Sequence, residues 1–142
     1  IGPLLITISS YIAPFVEFLK DVGLKFPDLV AYIYEGVMAI FDAKDKMLAD
    51  DRNPKEVEEE IVAQREKLVT DTLDKFHGSG PQVTTQLVRG TIEAIVAVVK
   101  ADRYGYEDVL AKETKARALG YLKSPDLEKA YEAYPQLFGQ RK

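Results

Sequence analysis

From Pro27 to Leu48 the apolar side chains leave almost no polar side on a helical wheel. Leu29, Val30, Ile33, Tyr34, Val37, Met38, Ile40 and Phe41 wrap most of the circumference. Only Asp28, Glu35 and Asp42, spaced one heptad apart, keep a narrow polar strip. A helix apolar nearly all round must be enclosed by its neighbours. The segment therefore predicts a helical domain built around it, and prolines and glycines divide the remaining chain accordingly.

The first helical segment runs from about Pro3 to Asp21 and carries Leu4, Leu5, Ile8, Ile12, Phe15, Phe18 and Leu19 on a broad apolar face. Pro14 removes a backbone donor and clashes with the preceding turn, which predicts a kink near Ala13. Gly23 is the expected C-terminal stop. A third helix opens with Asn53 as cap, Pro54 in the first turn and Glu56 three residues on, close to a capping box. Val57, Ile61, Val62, Leu68, Val69, Leu73 and Phe76 form its stripe, and His77 and Gly78 end it.

The fourth helix is expected from Pro81 to about Ala101, with Val83, Leu87, Val88, Ile92, Ile95, Val96, Val98 and Val99 as its core. A run rich in Val and Ile over Thr91 to Val99 also suits a buried strand, but its length and the leading proline favour helix. Gly90 within it costs about 1 kcal/mol relative to alanine, so a neighbour is expected to approach closely there. After a turn at Asp102 to Gly105, a fifth helix is expected over Tyr106 to Leu119. Ser124 and Pro125 introduce a short sixth helix before Pro135. The pattern predicts an all-α fold, a bundle of four main helices plus short C-terminal helices. It forms a single helical domain over residues 1–142, with segment 1–13 kinked or projecting and a tail over 136–142.

Ile1 to Val16 contain no charged side chain. A first residue other than Met is expected where residues precede it in the native chain or have been removed. A signal peptide fits poorly, because no basic region precedes the apolar run. A membrane-spanning helix needs about 20 apolar residues, and here Pro14, Glu17, Lys20 and Asp21 interrupt too soon. The better expectation is burial against protein.

The net charge is −4, with no cysteine and one histidine, His77. This composition excludes disulfides, thiolate metal sites, thiol nucleophiles and clusters of imidazole ligands within one subunit. His77-Gly78-Ser79-Gly80-Pro81 is a glycine-rich loop ahead of a helix, where backbone N–H groups can hold an anion. It completes no phosphate-binding motif, so a helix-to-helix turn is expected. His77 and Ser79 stand two apart in that loop, a poor arrangement for a nucleophile and its base. Glu35 and Glu93 could pair in the core, but each is expected to point outward or to meet a basic residue. Glu56, Glu58, Glu59 and Glu60 read as a solvated first turn that complements the helix dipole.

These features point to a non-catalytic structural or assembly protein with no cofactor and no metal site. It would self-associate or bind a protein partner through helical faces, as subunits of viruses and filaments do. The expected contact residues are Leu4, Leu5, Ile8, Tyr11 and Phe15, with Tyr121, Tyr131, Tyr134 and Phe138 from the tyrosine-rich C-terminal third. One alternative is membrane association through the segment Ile1 to Leu19. Another is nucleic-acid packaging along Lys112, Lys115, Arg117 and Lys123, although Glu107, Asp108 and Glu113 dilute that patch.

Overall fold

The computed structural model describes residues 16–79, 83–105 and 110–132. They form α1 (16–25), α2 (Pro27–Ala49), α3 (Pro54–Phe76), α4 (Thr85–Tyr104), α5 (Lys112–Leu122) and the short α6 (Glu128–Glu132). Single 3-10 turns at His77–Ser79 and Pro125–Leu127 follow α3 and precede α6. The fold is all-α, and the described residues contain no strand. Thr91 to Val99 lie inside α4, so the valine-rich run is helical.

The near-complete apolar wrap of α2 has the expected consequence. Helix α2 packs against α3, α4 and α6, and Leu29, Val30, Ile33 and Val37 are fully buried. Burying one such side chain stabilises the fold by about 1.5–3 kcal/mol before entropy is counted. Helix α4 supplies the facing layer through Val88, Ile92, Ile95 and Val98. Val16, Leu19 and Val22 of α1 are buried as well.

Helix α1 does not stop at Gly23; it continues through residue 25. The break falls at Phe26, because a residue preceding proline is driven out of the helical region, and Phe26 adopts φ −136° and ψ 68°. Gly23 has another role. The Tyr121 phenol of α5 occupies the space that a Cβ at this position would need. At Gly36, Leu68 of α3 would stand 2.5 Å from a Cβ, also too close, whereas at Gly90 the nearest atom, the Phe18 ring edge, would stand 3.5 Å away, an ordinary contact.

Helix α3 opens as expected, with the Asn53 side chain accepting the Lys55 N–H at 2.8 Å. Four other boundaries differ from the expected ones. Pro81 lies outside the described residues, and α4 begins only at Thr85, where Thr84 accepts the Leu87 N–H at 3.1 Å. It runs to Tyr104, not Ala101, and Gly105 closes it in the left-handed conformation at φ 71°, donating to the Ala101 carbonyl. Helix α5 starts at Lys112 instead of Tyr106 and passes Leu119 to end at Leu122. Pro125 then holds Ser124 in an extended conformation that no helix can continue.

A charged cleft between α3 and α4

Val62, Arg65, Glu66 and Val69 recur on α3 at spacings of three and four, so they share one face. Arg89, Ile92 and Glu93 do the same on α4. Packing α3 against α4 brings the two sets together around an open cleft of about 220 Å³. Val69 and Ile92 form its floor, being buried, while Val62 stands 53% exposed at one side. Val62, expected in the apolar stripe of α3, stands at the rim instead.

Two ion pairs cross the cleft. Arg89 donates two parallel hydrogen bonds to the Glu66 carboxylate, at 2.7 and 2.9 Å. Arg65 donates to Glu93. The Arg89 hydrogen bond holds the Glu66 carboxyl below the usual carboxylate range, and Glu66 in turn raises the guanidinium. Solvent-exposed pairs contribute little to stability. Their main effect is to fix the register of the two helices and the outline of the cleft. With two guanidiniums and two carboxylates, the rim is neutral in a chain of net charge −4. Such a surface offers an apolar floor and a patterned polar border, which suits binding of another surface.

The sequence-predicted contact residues fall elsewhere. Leu4, Leu5, Ile8, Tyr11, Phe15, Tyr134 and Phe138 lie outside the described residues. Tyr131, expected at a contact surface, is buried in the core: its ring packs 6.0 Å from that of Tyr34, and its hydroxyl donates to the Leu122 carbonyl. Tyr121 is half-buried over Gly23. Burial raises its phenol pKa, and the Asp126 carboxylate adds to that shift. Lys112, Arg117 and Lys123 are exposed on or next to α5 and Lys115 is half-buried, with Glu113 exposed among them.

Glu35, expected to point outward or to meet a basic residue, does not point outward: it is only 5% exposed, enclosed by the helices that cover α2. Glu93 does face outward and meets a basic residue, Arg65, so its carboxylate is held at the rim and not in the core with Glu35. The His77 ring donates from Nδ1 to the Asp74 carbonyl at 2.8 Å, as a last-turn residue closing α3. A second polar cluster joins α2 to α4: Arg103 donates to Asp42 at 2.5 Å and to Asp45 at 3.0 Å, and the Tyr104 hydroxyl donates to Asp45.

Among the described residues, no three metal-ligating side chains converge, and no helix is long and apolar enough to cross a membrane. The cleft itself was missed by sequence reasoning. The spacing of Val62, Arg65, Glu66 and Val69 was a usable signal, but partners 23 and 28 residues away along the chain were not. No family model matches the chain, and neither the curated proteins nor the solved structures yield a match.

Proposed function

We propose that this chain is a non-catalytic assembly protein whose helical faces pack against other protein surfaces. The observation that carries this reading is the α3–α4 cleft, where Val62 stands 53% exposed above the apolar floor of Val69 and Ile92. A single exposed valine is unremarkable on its own. Here it belongs to a concave apolar patch bordered by hydrogen-bonded charges, the arrangement of core and rim found in protein interfaces. The sequence adds a second apolar stretch, the uncharged run Ile1 to Val16.

Light scattering on the full chain tests the reading. An assembly heavier than 15.9 kDa, growing with concentration, is expected. A strict monomer throughout the micromolar range contradicts it.

A further inference from the structure

We infer that Met38 is a site of reversible oxidation and that Arg103 receives the sulfoxide oxygen. The chain has two sulfur atoms, those of Met38 and Met47, and no cysteine. Their surroundings differ. Met47 is buried in the core, whereas Met38 is half-buried at the junction of α2 with the end of α4. There its Sδ lies 3.9 Å from Nη2 of Arg103.

Arg103 is held in place by the same face of α2. Asp42 and Asp45 follow Met38 at helical spacing, and Arg103 donates to Asp42 at 2.5 Å and to Asp45 at 3.0 Å. The guanidinium is therefore oriented toward Met38 before any modification. A thioether sulfur is a weak acceptor, and at 3.9 Å the contact leaves a gap between donor and acceptor. An oxygen carried by the sulfur would fill that gap.

Hydrogen peroxide supplies such an oxygen. A sulfur lone pair attacks one peroxide oxygen, the O–O bond breaks, and the departing hydroxide takes the remaining proton and leaves as water. Sulfur loses two electrons and the peroxide gains them. The product is a polar sulfoxide, which sulfoxide reductases convert back. On the flexible, unbranched side chain of Met38 the new oxygen can turn to Nη2, and a hydrogen bond from a charged donor is of the stronger kind. At Met47 the same product would stand in the core and disrupt apolar packing. Oxidation at Met38 thus changes the partners of Arg103 while the fold is kept.

Peptide mass spectrometry after brief hydrogen peroxide treatment of the wild-type chain should show oxygen on Met38 before Met47. Urea unfolding is then compared before and after oxidation in the full chain carrying Met47→Leu, where Met38 is the single sulfur, with helicity followed by circular dichroism. Oxidation should lower the midpoint only slightly. With Arg103→Leu added, it should lower the folding equilibrium constant by about tenfold more, as loss of one hydrogen bond from a charged donor does. Arg103→Lys, which keeps the charge but not the planar fork, replaces Arg103→Leu if that variant does not fold, and should show a smaller extra loss of the same sign. Oxidation of Met38 no faster than that of Met47, or a loss of stability that is the same with and without Arg103, overturns the inference.

Discussion

Leu68 of α3 reaches to within 2.5 Å of where a Cβ on Gly36 of α2 would stand. The contact fixes how closely the two central helices approach. Gly36→Ala gains about 1 kcal/mol in helix propensity but forces a buried leucine out of a filled space, at a cost of about 1–3 kcal/mol. Net destabilisation is expected in urea unfolding. In a Leu68→Ala background the same substitution should turn stabilising, because the obstruction is gone.

Gly120→Ala provides the contrast. It sits in α5, exposed, and a Cβ there would meet nothing within 4 Å. A gain of about 0.4–1 kcal/mol is expected, seen as a higher urea midpoint with an unchanged slope.

Tyr131→Phe deletes a buried hydroxyl that donates to the Leu122 carbonyl. A loss of about 1 kcal/mol is expected from thermal or urea unfolding. No change in stability would mean that the hydroxyl has no net effect and that only the ring, packed at a tilt against Tyr34, anchors α6.

The Glu66 carboxyl titrates below its ordinary value because Arg89 donates hydrogen bonds to it. A carboxylate with a depressed pKa favours the folded state above its unfolded pKa, near about 4.3, and that contribution disappears as the pH falls through the folded value. Arg89→Gln should move the Glu66 midpoint upward in a carboxyl NMR titration. An unmoved midpoint would show that the pair does not persist in solution.

The helical architecture was legible in the sequence because it depends on local rules. The apolar wrap of Leu29 to Phe41 announced a central helix, and Asn53 with Pro54 announced the start of α3. The misplaced boundaries each reflect a tertiary contact or a chain-direction effect. Gly23 reads as a stop until the Tyr121 ring is seen to need its space, and α4 runs past Ala101 to the left-handed turn at Gly105.

The cleft was only half legible. Val62, Arg65, Glu66 and Val69 follow helical spacing, yet nothing local distinguishes a rim position from a core one. Glu35 shows the same limit in reverse: its heptad spacing suggests a solvated strip, while the packing of α2 against three helices encloses it.

The most direct measurement is a dilution series followed by amide NMR, from millimolar protein down to the low-micromolar range. Signals of Val62, Arg65, Glu66, Arg89 and Glu93 should shift together as copies separate, while those of exposed Lys112 and Arg117 on α5 stay fixed. Spectra that do not change with concentration, or shifts confined to α5, would contradict an assembly built on the α3–α4 cleft.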